Sequence, residues 1–452
     1  MKLLLVYPPF CAPTIRPYSI SYLRNFVENN LNVDVTCLDL NAQFHRLRFP
    51  RYYPELKQQQ DIISYGKVLA EFENEAREVY AQNHKAVIAG KKPELLAEML
   101  QLITDEKAEY VAFSLVYNSQ AFYGKALLEE LTKRKVPCII GGPAVPTILQ
   151  SYLHLKNEVE LINYLARQQP GLERFSGENY NGDTIPDFSD YADEDYLSAQ
   201  RIIPLKTCST CFYKQCTFCT HYADVPYLEF NLENIKKTII QSGARRVYFI
   251  DDMISKDRLL QIAHLLKPMN VKWWCQLRPT RDLQGQFPEL YASGLRSIAW
   301  GVESGNQRIL NLMKKGTTVD DIPMVLQESR AAGIKNMVYI MFGFPSETKD
   351  EFLDTIRFLQ EHTASIDLVS SSIFGLQKRS AIYKHPAEYG LETKTEKRTV
   401  LDEKITYVSK KGLQNEEAKS LRRKYKRTLQ KLNTVPKVFD YFKEQILVFG
   451  EE

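Results

Sequence analysis

Ile202-Ile-Pro-Leu-Lys-Thr-Cys208-Ser-Thr-Cys211-Phe-Tyr-Lys-Gln-Cys216-Thr-Phe-Cys219 passes from a short apolar run straight into four cysteines within twelve residues. The run Ile202 to Lys206 reads as a strand, so the thiols sit on the loop at its carboxyl end. The remaining cysteines (Cys11, Cys37, Cys138, Cys275) are scattered. A disulfide framework is not expected, because the chain is long and carries no mark of secretion. Structural zinc usually takes two separated pairs, and only His221 follows Cys219 closely. An iron–sulfur cluster needs three or four converging thiolates, and short C-x-x-C spacings suit it. That reading is preferred, with zinc kept open.

Outward from this loop the pattern is regular up to about Gly375. Strands are expected at Ile202 to Lys206, Arg246 to Ile250, Lys272 to Gln276, Arg296 to Trp300, Asn336 to Met341 and Ile366 to Ser372. Helical spacing lies between them, and three helical stretches end at Gly243, Gly294 and Gly333, where the left-handed conformation closes a helix. Six such βα units describe a partial, open barrel whose chemistry sits at the carboxyl ends of the strands. The first 150 residues alternate strands and helices as well, which argues for a doubly wound parallel sheet. Its strand ends carry Pro8-Pro9, Asp39, Ser114 and the turn Gly141-Gly142. Residues 55 to 104 are an amphipathic helical insertion. Residues 165 to 200 are polar and rich in Gly, Asn, Asp and Tyr, a linker by composition. The tail from Lys378 is charged and expected to be helical; its Lys and Arg between Leu421 and Lys431 read as a solvated helix face.

The composition fits a globular protein of two or three domains, with 452 residues, 44% hydrophobic and 25% charged. Net charge is +4, from 59 basic and 55 acidic residues, too small to argue for nucleic acid. The apolar start at Met1 to Tyr7 stops at Pro8-Pro9 and reads as a buried strand, not a signal peptide. No run approaches the roughly 20 apolar residues that cross a bilayer, so no membrane partner is expected and the cytoplasm is the expected compartment.

Together these landmarks resemble a known family. The loop Cys211-Phe-Tyr-Lys-Gln-Cys216-Thr-Phe-Cys219 is similar to a C-Y-W-G-K-C-x-F-C variant of the radical S-adenosylmethionine (SAM) signature. Phe249-Ile-Asp-Asp252, Arg278-Pro279, Gly301-Val-Glu-Ser-Gly305 and Phe342-Gly-Phe-Pro-Ser-Glu-Thr348 follow in family order. The start Leu4-Leu-Val-Tyr-Pro-Pro9 and the Gly141-Gly-Pro143 turn resemble the subgroup with an N-terminal cobalamin (B12)-binding-like domain. The resemblance implies an α/β chain: a cobalamin-binding-like Rossmann domain at 1–150, a linker at 151–200, a radical SAM (βα)6 partial barrel at 201–390 and a helical C-terminal region at 391–452. It implies a [4Fe–4S] cluster on Cys211, Cys216 and Cys219, with Cys208 left free. It places SAM near Phe218, Gln276, Arg278, Glu303, Gly343 and Pro345, and a cobalamin near Ser114, Gly141 and Gly142. Asp39-Leu-Asn-Ala-Gln-Phe44 lacks the histidine that ligates cobalamin in some relatives, and His45 is out of register, so cobalamin stays open. Asp251 and Asp252 are read as a polar strand end or a general base.

The implied activity is reductive cleavage of SAM to act on a small molecule or peptide, with cobalamin-dependent C-methylation as the first expectation. An electron donor such as flavodoxin or ferredoxin is the implied partner, and no nucleic acid is expected. A tRNA methylthiotransferase would need a second cluster, with Cys11, Cys37 and Cys138 as its nominees. A non-catalytic zinc-binding protein would use all four clustered cysteines.

Overall fold

A computed structural model describes residues 1–168, 184–220 and 225–449. His221 and part of the expected linker lie outside the described residues. Five parallel strands form the first sheet: β1 (Lys2–Tyr7), β2 (Asp34–Asp39), β3 (Tyr110–Ser114), β4 (Cys138–Gly141) and β5 (Leu153–His154), in the order β2-β1-β3-β4-β5. β1 explains why this sheet is doubly wound. Leu3 and Leu5 join the hydrophobic cluster on one face while Leu4 and Val6 join the cluster on the other. A strand apolar at every position needs helices on both sides. β5 and the helix Glu158–Gln168 extend the sheet past residue 150, into the stretch read as linker. A two-residue strand has no periodicity to read.

Six further parallel strands form the second sheet: β6 (Ile202–Leu205), β7 (Arg246–Phe249), β8 (Lys272–Leu277), β9 (Leu295–Glu303), β10 (Lys335–Phe342) and β11 (Leu368–Ile373), in sequential order. Period two again sets the layers. Val247, Phe249, Trp273, Cys275, Ile298, Trp300, Val338 and Ile340 pack in the cluster that the barrel helices share. Trp274, Ala299, Met337 and Leu368 belong to the other cluster, with Tyr248 and Tyr339 packed against it. Gly294 shows why glycine punctuates these units. It has φ +102°, and a Cβ there would lie 1.9 Å from the Val271 carbonyl oxygen.

The tail departs from the expected helix at its start. It opens with an antiparallel hairpin, β12 (Leu391–Glu396) and β13 (Lys404–Ser409). Only Leu391 of β12 is buried, so the strand's charged composition imitates a helix surface. The chain then packs on the barrel's last edge. Lys437 Nζ donates to the Val369 carbonyl at 2.7 Å, Arg422 Nη1 to the Ser371 carbonyl at 2.7 Å, and Asn433 Oδ1 accepts from the Val369 amide at 2.9 Å. These contacts satisfy groups that an edge strand would otherwise present for pairing. Beyond them Phe439, Phe442, Ile446 and Leu447 are buried in one cluster with Trp274, Ala299 and Met337 of the barrel and Tyr65 and Phe72 of the insertion helix Ile62–Ile88. Gln445 ties the tail to the insertion and to the segment leading into β6, accepting from Tyr65 at 2.6 Å and from Ser198 at 2.9 Å. The last described residues therefore fill the floor of the barrel.

Leu447 is fully buried in that floor, whereas Val408 on the hairpin is 41% exposed. Leu447→Ala should cost about 2–5 kcal/mol in urea unfolding, and Val408→Ala within about 0.5 kcal/mol of zero. Equal effects would show that the tail is not part of the core.

Candidate functional site

The cysteine loop leaves β6 under the control of a single carboxylate. Asp251, just after β7, accepts from the amides of Thr207 and Cys208, each at 2.9 Å to Oδ1. The Cys208 thiol lies 3.1 Å from the same oxygen. Burial and this carboxylate push the Cys208 thiol well above its ordinary range. Burial also raises Asp251, partly offset by the donors around it. Asp251 is therefore a clamp on the loop, and Cys208 is held as a neutral thiol. Cys211, Cys216 and Cys219 are only half-buried.

A second segment, Lys314-Lys-Gly316, clasps the loop from the other side. The Tyr213 hydroxyl donates to the Lys314 carbonyl at 2.9 Å, and the Thr217 amide to the Met313 carbonyl at 3.0 Å. Arg278, at the end of β8, donates to the Lys315 carbonyl at 3.0 Å, and its guanidinium lies 3.7 Å from the Tyr213 ring centroid. Gly316 makes the clasp possible: at φ +69°, a Cβ would come within 2.2 Å of the Tyr213 hydroxyl. The Nε of Arg278 is buried without a partner.

Lys315 is the residue that sequence reasoning missed. Its ammonium is buried and lies 2.8 Å from Glu303 Oε1. Burial alone would lower its pKa, but Glu303 and the Cys216 thiol outweigh that and raise it. Burial raises the Cys216 thiol, and Lys315, Glu303, Cys211 and Arg278 all act on it electrostatically. Lys315 also lies 5.9 Å from the Phe218 ring centroid. Glu303 ends β9 at φ +68°, a conformation rare outside glycine. Gly301 leaves the pair its room, since a Cβ there would meet Lys315 Nζ at 2.6 Å. In sequence Lys315 is one of two adjacent lysines, with no pattern to mark it as buried.

Of the other expected residues, Gln276 donates to the Asp252 carbonyl at 3.2 Å. Phe218 meets Phe344 edge-on at 6.5 Å, which brings the Gly343-Phe-Pro345 turn against the cysteine loop. That turn is closed by Glu347, whose Oε2 accepts from the Gly343 amide at 2.5 Å. Ser114, Gly141 and Gly142 meet in a separate cavity of about 620 Å³ between the two sheets. Its far wall is Lys206, Ser209, Leu228 and Phe230, from the barrel side. Gly142 is required there by the backbone, because a Cβ at its φ of +105° would lie 2.4 Å from the Leu115 carbonyl oxygen. Among the described residues no histidine lines the cavity. His45 is fully buried elsewhere, beside Phe44, Phe49 and Tyr80, and burial pushes its pKa down to about 4. Among the described residues no three His, Cys, Asp or Glu side chains converge closely enough for a single metal ion.

Residues 205–359 match the radical SAM superfamily. The chain carries a radical SAM domain. The domain is a catalytic one, and the matched residues begin at β6 and take in the cysteine loop, the Lys315–Glu303 pair and the Gly343 turn. Among curated proteins the chain is 26% identical over 231 residues to a tRNA-2-methylthio-N(6)-dimethylallyladenosine synthase of Thermotoga petrophila. That match covers 45% of this chain and 51% of the relative, so the chain spans about half the length of that protein. An uncharacterized methyltransferase of Pyrococcus horikoshii is 23% identical over 134 residues, 29% of each protein. Among solved structures, the radical SAM methyltransferase TsrM from Kitasatospora setae, with tryptophan substrate and a SAM analogue bound, matches with TM-score 0.58 at 16% identity. The match covers 89% of this chain and 80% of TsrM. The cobalamin-dependent radical enzyme OxsB, with aqua-cobalamin and SAM bound, matches with TM-score 0.54 at 14% identity over 86% of this chain and 56% of OxsB. These likenesses are of fold, and they span both sheets around the radical SAM domain.

Glu347 supplies a test of the domain's internal electrostatics. Burial pushes its carboxyl up to about 8 from 4.5, so the folded chain keeps a proton that the unfolded chain has lost. Stability should therefore fall as pH rises from about 4.5 to about 8 and level off above that. Glu347→Gln should lose less melting temperature than the parent between about pH 5 and about pH 9. Superimposable pH profiles would rule this out.

Proposed function

We propose that the protein is a radical SAM enzyme that binds a [4Fe–4S] cluster through Cys211, Cys216 and Cys219 and methylates carbon on a small molecule or peptide with the help of cobalamin. The observation that carries the first half is Cys208. With its thiol turned to Asp251, three half-buried thiols remain on the loop. Three is the number that leaves one iron of a cubane open for SAM. The orphaned Arg278 Nε and the buried Lys315–Glu303 pair fit a zwitterionic amino-acid end close by. The observation that supports cobalamin is the cavity holding Ser114, Gly141 and Gly142, because its second wall comes from the barrel. A corrinoid there would find no histidine ligand among the described residues.

When bound, these groups supply one-electron cleavage of a C–S bond and a transferable methyl group. The chain's own residues supply placement. Asp251 and the Lys314-Lys-Gly316 clasp hold both ends of the cysteine loop. Glu303 is the acceptor for an ammonium group, and Lys315 places a fixed positive charge beside Cys216. Phe218, half-buried and backed by the buried Phe344, offers apolar surface for a flat ring. Such an enzyme also needs a reductant, for which a flavodoxin or ferredoxin is the proposed partner. No helix among the described residues is long and apolar enough to cross a membrane, and we propose a cytoplasmic location.

The sequence relationship to tRNA methylthiotransferases favours a second reading, which requires another cluster site. Its nominees are dispersed. Cys37 on β2 and Cys138 on β4 have β1 and β3 between them, a separation of about 14 Å at the usual strand spacing. Each thiol faces a nearby backbone carbonyl, of Ile20 and Val136 respectively. A four-cysteine zinc site would need Cys208 to abandon Asp251.

EPR of the anaerobically reconstituted, dithionite-reduced chain should show a [4Fe–4S]+ signal that changes when SAM is added. An unresponsive signal would defeat the proposal. Cys216→Ala should lose the cluster iron, and Cys208→Ala should keep it; full iron in Cys216→Ala overturns the ligand set. Hydroxocobalamin should be retained through gel filtration with an absorption spectrum lacking histidine ligation, and its loss would remove cobalamin from the proposal.

A further inference from the structure

The inner face of the barrel carries a row of groups from the cysteine loop down to the tail. Glu303 and Lys315 stand at its upper end, beside Cys216. Tyr339 on β10 pairs in register with Gly301 of β9, two residues from Glu303. Its side chain lies on the Trp274 and Met337 side of the sheet, against the cluster that lines the hollow. Below it Lys443, from the tail, places its ammonium 4.5 Å from the Tyr339 ring centroid. Tyr339 and Lys443 are both half-buried, so neither is sealed from solvent.

Lys443 is the group without an assignment. Among the described residues its ammonium makes no hydrogen bond and no ion pair; it lies over the Tyr339 ring, with Asp440, Glu444 and Lys437 within electrostatic reach. The nearby carboxylates are committed elsewhere. Asp440 is held by Lys437 at 2.9 Å. Glu444 is buried, receives Gln445 Nε2 at 3.3 Å, and is pushed by burial toward its neutral form. Burial lowers the Lys443 pKa, the direction expected of a cation drawn out of water ahead of its partner. A phenol ring offsets only part of that cost. Tyr248, half-buried on the same face and within electrostatic reach of Tyr339, lies tilted against Trp274 with ring centroids 4.5 Å apart, which makes this wall aromatic.

We propose that Lys443 anchors a carboxylate of the substrate, which is a small molecule carrying that carboxylate on a flat apolar body lying along Tyr339 and Tyr248. This rests on the radical SAM reading for the identity of the site, because the row leads from the anchor to Cys216. One ammonium, with the Asp440 carboxylate behind it, suits a monoanion better than a phosphate. Lys443 is a specificity-determining residue in this view, and the tail sets the substrate class.

The test uses the full reconstituted chain and two matched probes, 3-phenylpropionate and 3-phenylpropylamine, followed by saturation-transfer NMR. The carboxylate should bind the parent and Lys443→Arg, and bind Lys443→Met at least about tenfold more weakly, while the amine binds none of them better than the carboxylate binds the parent. Methionine keeps the apolar stem on Tyr339, so the fold should survive, and the comparison of probes on the parent stands even if it does not. Equal carboxylate binding by the parent and Lys443→Met overturns the proposal, as does an amine that binds as well as the carboxylate, or no binding of either probe. The SAM-dependent EPR change should be the same in Lys443→Met as in the parent. Its failure in the parent would defeat the enzyme reading while leaving the anion result intact.

Discussion

A sheet of six parallel strands curled into an open barrel cannot fill its own interior or pair its own edges. Most of what surrounds the barrel here answers that constraint. The exposed rim of β11 receives Asn433, Lys437 and Arg422 from the tail. The floor receives Phe442, Ile446 and Leu447, backed by the long helix inserted in the first domain. The insertion and the tail are thus two halves of one repair, sharing a single cluster with the barrel residues Trp274, Ala299 and Met337. What they leave open is the upper part of the hollow, where the strands end.

At that upper end the structure shows how a loop of thiols is given a shape before anything binds it. Two clamps of different chemistry act on it. Asp251 works through directional hydrogen bonds that it accepts from two backbone amides. The Tyr213–Arg278–Gly316 clasp works through close packing that only glycine allows. Between them a buried ion pair is tolerated because Glu303 and Lys315 neutralise each other, and a lone member would be costly.

The architecture was legible because its signals repeat. Runs apolar at every position marked the parallel strands, and glycines at helix ends marked the βα units; Gly243, Gly294 and Gly333 all have positive φ. The cysteine loop and the acidic end of β9 were legible from residue type and order. What escaped was non-repeating or long-range. β5 is too short for a pattern, and β12 is too exposed to show an apolar face. Lys315 looks like any surface lysine until the fold brings it under Gly301. Lys443 is equally plain in sequence, because its neighbour Tyr339 lies a hundred residues away on another element. The glycine pair at Gly141 illustrates the converse: Gly142 is dictated by a backbone crossing at Leu115, so its presence alone does not argue for a ligand.

Turning Cys208 toward Asp251 leaves an odd number of thiols on the loop. Three sulfurs cannot all pair with one another. Cys208 is a poor fourth, since burial and the carboxylate both suppress its thiolate, the form that attacks. A disulfide within the bare loop therefore leaves one sulfur unpaired and half-exposed. That leftover thiol can attack the neighbouring disulfide and keep the pairing in exchange. The arrangement that suits three irons also keeps an oxidised loop within reach of thiol reductants.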